Sequence, residues 1–182
     1  MINRPAFFKN IKANGLFITM TQRQVDSITA ILDECDRQQV TDGRQIAYIL
    51  ATPYHECYNP RTPETRCTPI KEFGSERYLR GKVYYPYIGR GFSGLTWKAN
   101  YQKETKRLGV DLVNMPDLIL NIPLAANSHV YCMKNGTYTG KKLSDYIAGV
   151  KCDFINARRI INGTDKAGLI TGYANKFLSS LI

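Results

Sequence analysis

Hydrophobic positions recur at helical spacing along much of the chain. Val25, Ile28, Ile31 and Leu32 share one face of a segment over about 21–38, with Thr21 placed to cap its start. A second helix is predicted over about 42–57, opened by Asp42, with Ile46/Leu50/Tyr54 and Ala47/Ala51 forming an apolar stripe. Further helical patterns cover about 97–108 behind Thr96, about 116–133 interrupted by Pro123, about 144–161 behind Ser144, and about 165–181. The stretch 134–140, Lys-Asn-Gly-Thr-Tyr-Thr-Gly, reads as an exposed loop or small hairpin.

Between about 58 and 95 the periodicity breaks. Pro60, Pro63, Pro69 and Pro86 fall there with Gly74, Gly81, Gly89, Gly91 and Gly94, and with Tyr78, Tyr84, Tyr85 and Tyr87. Such a stretch is too long for a simple connector, and long irregular segments in small domains usually carry function. The expectation is therefore a mainly α, single-domain protein over 1–182, with an irregular loop or short hairpin lining a cleft.

The length, 182 residues, is enough to bury a core, and 43% hydrophobic with 22% charged residues is the balance of a globular chain. No apolar run reaches the roughly 20 residues of a membrane span, and the start, Met-Ile-Asn-Arg-Pro, lacks the apolar stretch of a signal peptide. The expected setting is cytoplasmic synthesis, with no stable membrane association. The net charge is +10, spread over both halves, which suits a polyanionic partner such as nucleic acid or a bacterial wall. No nucleic-acid motif accompanies that charge. Five cysteines include no Cys-x-x-Cys pair, and the only two histidines lie far apart, so neither a zinc site nor another cofactor is expected. Free, packed thiols are expected.

Glutamates are scarce, and Glu56, Glu64, Glu72 and Glu76 cluster around the irregular segment. Glu56 ends the second helix on the face of Ile49, Thr52 and Pro53, which carries no other charge within a turn. A carboxylate in such an uncharged wall has its pKa raised by desolvation, as suits a general acid. Pro53, inside the helix, removes a hydrogen bond and hints at a bend beside a cleft. A second carboxylate across that cleft would complete the pair needed for glycoside hydrolysis. From spacing alone Glu64, Glu72 and Glu76 all stay open for it.

Several ordered motifs then carry a resemblance. Ala47-Tyr48-Ile49-Leu50-Ala51-Thr52 leads into His55-Glu56. Pro69-Ile70-Lys71-Glu72 follows, then Tyr84-Tyr85 with Gly89-Arg90-Gly91, Leu95-Thr96-Trp97-Lys98-Ala99-Asn100-Tyr101, and Arg158-Arg159-Ile160-Ile161-Asn162-Gly163. Over about 20–180 this resembles glycoside hydrolase family 19, the chitinase-like family, in its compact phage endolysin and bacterial branch. The resemblance implies a lysozyme-like helical fold, no metal, and inversion at the anomeric carbon, with the two carboxylates roughly 6.5–9.5 Å apart or more. It implies Glu56 as general acid, Glu72 as general base and Thr96 as the residue that positions water. It further implies His55, Tyr85, Arg90, Asn100 and Asn162 as substrate contacts. The family usually has Gln where Gly94 stands, so one sugar contact is expected to differ, with Ser93 as a neighbour that could replace it.

The function so implied is a peptidoglycan hydrolase, a monomeric lysozyme-like endolysin for cell lysis. It would have no separate wall-binding module, and a holin-like protein would release it from the host cytoplasm. The alternative is a chitinase acting on β-1,4 N-acetylglucosamine polymers, and behind it stands a basic wall- or nucleic-acid-binding protein without catalysis.

Overall fold

The computed structural model describes residues 2–181. The chain opens with α1 (Arg4–Ala13), which the sequence reading did not anticipate; Asn3 caps it by accepting the Ala6 N–H at 3.1 Å. The next two helices lie where the periodicity places them. α2 (Gln22–Arg37) starts in a capping box between Thr21 and Gln24, and α3 (Gly43–Glu56) starts at Asp42, whose side chain accepts the Arg44 N–H at 2.9 Å.

α3 is the central element. Every residue from Ile46 to Tyr54 is buried, so the helix is enclosed on all sides rather than along one stripe. Its main partner is α9 (Ala167–Ser180), where Tyr173 and Phe177 meet the Tyr54 ring at centroid distances of 4.6 and 5.7 Å. The Tyr54 hydroxyl donates to the Leu16 carbonyl. Each fully buried Ile or Leu here contributes about 1.5–3 kcal/mol, so Leu50→Ala belongs among the costly core truncations.

The irregular segment is more structured than expected. It contains β1 (Ile70–Lys71), the short α4 (Glu76–Arg80) and β2 (Arg90–Gly91). β1 and β2 pair antiparallel, Ile70 with Gly91 and Lys71 with Arg90. α5 (Lys98–Leu108) follows, and its start differs from the sequence expectation. Trp97, not Thr96, is the N-cap residue, which leaves the Thr96 hydroxyl for another partner.

Pro123 does not interrupt a helix over 116–133. A 3₁₀ turn spans Pro116–Leu120, and α6 (Ile122–Asn135) begins afresh behind Asn121 with Pro123 in its first turn, where a missing N–H costs nothing. The single helix expected over 144–161 is also absent. That stretch holds α7 (Leu143–Tyr146), a hairpin of β3 (Ile147–Ala148) and β4 (Lys151–Cys152), and α8 (Phe154–Ala157). Gly149, at φ +56°, makes the hairpin turn, and Asp153 caps the new helix.

Among the described residues, two hydrophobic clusters result. The larger joins α1, α2, α3, α6 and α9 and takes in Phe92, with Ile70 of β1 at its edge; the smaller is built on Leu95, Tyr101, Leu112 and Ile119, the last lying against Gly91 of β2. All five cysteines are free thiols, and only Cys152 is exposed.

Candidate active site

Glu72 follows β1 directly and continues the ladder by one step. Its N–H donates to the Gly89 carbonyl at 2.7 Å, and the Gly89 N–H returns to Glu72 Oε2 at 3.0 Å. Tyr84 Oη donates to Oε1 at 2.9 Å. Each carboxylate oxygen thus holds one donor and keeps lone-pair capacity for water. Partial burial, followed by the bond to Glu72, raises the Tyr84 hydroxyl above its ordinary pKa, so it remains a donor. The Trp97 ring meets the Tyr84 ring edge-on, centroids 5.3 Å apart. Trp97 itself sits at φ +75°, a conformation that costs an L-residue on the order of 1–3 kcal/mol. Its N–H holds the Tyr87 carbonyl at 3.0 Å.

Glu56 is carried by the buried end of α3. The expectation of a wall free of charge is corrected here: Arg158, 102 residues downstream and only 4% exposed, donates through Nη1 to Glu56 Oε1. The guanidinium is itself anchored, with Nε donating to the Asp165 carbonyl at 3.0 Å. Helical spacing could not reveal this partner because it comes from the other end of the chain. His55 stands beside Glu56, half-buried. Burial lowers its pKa, against the opposing pull of the Glu56 charge.

Glu56 and Glu72 line one open cleft of about 840 Å³, together with Thr96, Asn100 and Asn162. The Thr96 hydroxyl donates to the Gly94 carbonyl at 2.6 Å, so toward the cleft it can only accept. Asn100 Nδ2 donates to the Thr96 carbonyl at 2.9 Å, which ties the two together. Gly89 lies between the carboxylate and the hydroxyl. A Cβ placed on it would be 3.5 Å from both Glu72 Oε2 and Thr96 Oγ1.

Three of the expected substrate contacts are elsewhere. His55 does not line the cleft. Arg90 is 4% exposed and engaged through Nε and Nη1: Nε reaches Asp117 Oδ1 at 2.5 Å, and Nη1 reaches the Pro86 and Ile88 carbonyls and Tyr101 Oη at 3.0–3.1 Å. It staples the 86–91 backbone to the 3₁₀ turn at Pro116–Leu120. Tyr85 borders a smaller cavity of about 420 Å³ on the other flank of Glu72. The competing carboxylates are also placed apart from the main cleft. Glu76 is exposed and paired with Arg80 at 2.7 Å, and Glu64 borders a pocket near Leu16–Thr21. Of the three candidates only Glu72 shares the cleft with Glu56.

Sequence reasoning did not single out Tyr84, Arg158 or Gly89 as site residues, nor Tyr138 and Thr139, which line the cleft from the segment read as an exposed loop. Arg158, Tyr84 and Gly89 had a signal, their places in the Arg-Arg-Ile-Ile-Asn-Gly and Tyr-Tyr…Gly-Arg-Gly motifs; Tyr138 and Thr139 had none beyond composition.

No protein-family model matches the chain. Among curated proteins it is similar to Chitinase 11 of Oryza sativa subsp. japonica, 54% identical over 41 residues, which is 22% of this chain and 16% of that protein. It is also similar to Endochitinase A2 of Pisum sativum, 31% identical over 102 residues, covering 46% of this chain and 30% of that protein. The matched stretches are thus less than a third of those relatives' lengths. Among solved structures, chitinase C from Streptomyces griseus HUT6037 superposes with a TM-score of 0.66 at 20% identity, covering 99% of this chain and 76% of that one. A bacterial family 19 chitinase superposes at 0.62 with 19% identity, covering 99% and 94%.

Proposed function

From a chain with the family 19 chitinase-like fold, we propose a glycoside hydrolase that cleaves β-1,4 bonds in N-acetylglucosamine-containing glycans. The observation that carries the proposal is the convergence of Glu56 and Glu72, from separate elements, on one cleft with Thr96 beside Glu72. Glu56 is the general acid and Glu72 the general base. Water attacks the anomeric carbon and gives its proton to Glu72, while the glycosidic oxygen departs with the proton of Glu56. Because the Thr96 hydroxyl is already donating to Gly94, it accepts one hydrogen of that water and Glu72 accepts the other. The water's lone pair is left free for attack. A direct displacement of this kind inverts the anomeric configuration.

Chitin-type polymers are the leading substrate, in keeping with the names of the plant and bacterial relatives. The +10 charge favours a second substrate, the glycan strands of peptidoglycan, since a neutral polymer has no use for it. Assays on chitin oligosaccharides and on purified peptidoglycan, wild type against Glu56→Gln, decide between them. New reducing ends that vanish in the variant, with the inverted anomer seen first by NMR, support the reading. Binding to peptidoglycan that weakens as salt rises supports the second substrate. Absence of cleavage of either polymer by folded wild-type protein rejects the proposal.

A further inference from the structure

A proline inside a helix deprives the carbonyl four residues earlier of its donor. In α3 the proline is Pro53 and that carbonyl is Ile49, which is fully buried. His129 on α6 supplies the missing hydrogen, with Nε2 2.8 Å from the Ile49 oxygen. A carbonyl can only accept, so Nε2 carries a hydrogen. The ring is 1% exposed, and burial pushes its pKa down to about 4, so it is neutral at ordinary pH. A neutral imidazole with hydrogen on Nε2 has a bare Nδ1 that can only accept. Nδ1 is hydrogen-bonded to Ser93 Oγ, and Ser93 must therefore spend its single hydrogen there.

Ser93 also lines the cleft. Cys57 Sγ lies 3.8 and 3.6 Å from the carbonyls of Gly91 and Phe92 beside it, with its single S–H to share between them. At Gly94, on the other side, no atom beyond its chain neighbours lies within 4 Å of where a Cβ would stand, so a ligand has room to approach. An ordinary serine presents both a donor and acceptors, whereas this one presents lone pairs alone.

We infer that Ser93 is a specificity-determining contact of the cleft, an obligate hydrogen-bond acceptor that selects a sugar hydroxyl or acetamido N–H and rejects a carbonyl or ether oxygen at that place. His129 is its positioning residue, acting only through Ser93. The inference rests on the glycan-hydrolase reading and adds to it which chemical group the floor recognises.

The test uses the full chain carrying Glu72→Gln, so that binding is read without turnover. The probes are a β-1,4 N-acetylglucosamine oligosaccharide and analogues in which one hydroxyl is O-methylated or one acetamide is N-methylated. Ser93→Ala weakens binding of the parent oligosaccharide about 3- to 10-fold, the worth of one hydrogen bond. It leaves unchanged the affinity of whichever analogue has lost the donor. The O-methyl set identifies a hydroxyl and the N-methyl set an amide. Equal losses across all probes, or no loss on the parent, overturn the inference. Where the recognised group is a hydroxyl, His129→Phe frees the Ser93 hydrogen to donate to an ether oxygen and relieves discrimination against the O-methyl analogue; unchanged discrimination removes His129 from the account. Should that variant not fold, long-range ¹H–¹⁵N correlation on the wild type reads the tautomer directly, and hydrogen on Nδ1 overturns the inference. Failure of the parent reading is distinct, because it appears as absent turnover in the wild type whatever the binding variants do.

Discussion

Gly89→Ala is the sharpest probe of the water-handling side of the cleft. Gly89 is not in the left-handed region, so alanine meets no backbone strain. The added methyl lies 3.5 Å from Glu72 Oε2 and 3.5 Å from Thr96 Oγ1, ordinary contact distances with nothing to push aside. The Gly89 N–H that holds Oε2 is kept. Folding stability should therefore hold or rise, by about 0.4–1 kcal/mol, because alanine restricts the unfolded chain more than glycine does. Catalysis should not hold. A water hydrogen-bonded to both oxygens needs to sit about 2.8 Å from each, and the methyl intrudes on that place. Loss of positioned base catalysis is worth roughly 10²–10⁴ in kcat, and the drop should approach the lower end with little change in KM. The assay is reducing-end release on the better of the two polymers, beside a thermal melt. Full activity in a variant that melts at or above wild type would refute the placement of the water between Glu72 and Thr96.

Glu56→Gln keeps an acceptor for Arg158, so its melt should stay close to wild type while kcat falls about 10²–10⁴-fold; activity within tenfold of wild type removes Glu56 as the acid. Arg158→Met strips Glu56 of its buried partner. Because Glu56 is 28% exposed, the cost should be about 1–3 kcal/mol rather than the full buried-pair value, a drop of roughly 2–4 °C per kcal/mol in the melt. Combining it with Glu56→Gln should recover part of that loss, and strict additivity would argue against the pair. Acid lability should follow from His129, whose pKa is lowered from 6.5 to about 4 in the folded chain. The unfolded chain takes up the proton first, so this contribution is intact above about pH 6.5 and is lost as pH falls toward 4, on the order of 3 kcal/mol in all. Denaturant midpoints from pH 7.5 to 4.5 should show the slope, and His129→Gln should flatten it. An unchanged slope in the variant contradicts the buried neutral ring.

Local signals read well where they were complete. Thr21 and Asp42 stand just before their helices, and of the periodic residues behind them Ile28, Ile31, Leu32, Ile46, Ala47, Leu50, Ala51 and Tyr54 are buried, with Val25 partly covered. Signals misled where two of them competed. The apolar rhythm over 144–161 outweighed Gly149 and Asp153, yet those two residues set the hairpin and the new helix start. Asn3 and Pro5 marked α1 as cap and first-turn proline, but the polar face of that short helix hid its periodicity. In the site, Glu56, Glu72, Thr96, Asn100 and Asn162 come together as the motif order suggested. Their partners do not show in spacing, because Arg158 reaches Glu56 across 102 residues and His129 reaches Ser93 across 36. Arg90 shows the converse: a motif arginine reads as a ligand contact until its Nε and Nη1 are found turned to backbone carbonyls and Asp117.

The division of the interior into two clusters has a consequence for how the protein fails. Glu56 rides on a helix inside the large cluster, whereas Glu72 follows a ladder of two residue pairs held between that cluster's edge, at the partly buried Ile70, and a cluster of four buried side chains. Regions with few buried contacts open at free energies well below that of global unfolding. Warming should therefore release the segment around residues 70–91 while α3 and α9 remain intact. Hydrogen exchange should show the amides of Glu72 and Gly89 trading with solvent long before those of Ile49 and Leu50. Catalysis should then fade, reversibly, over a range of temperature in which far-ultraviolet circular dichroism still records an intact helical body.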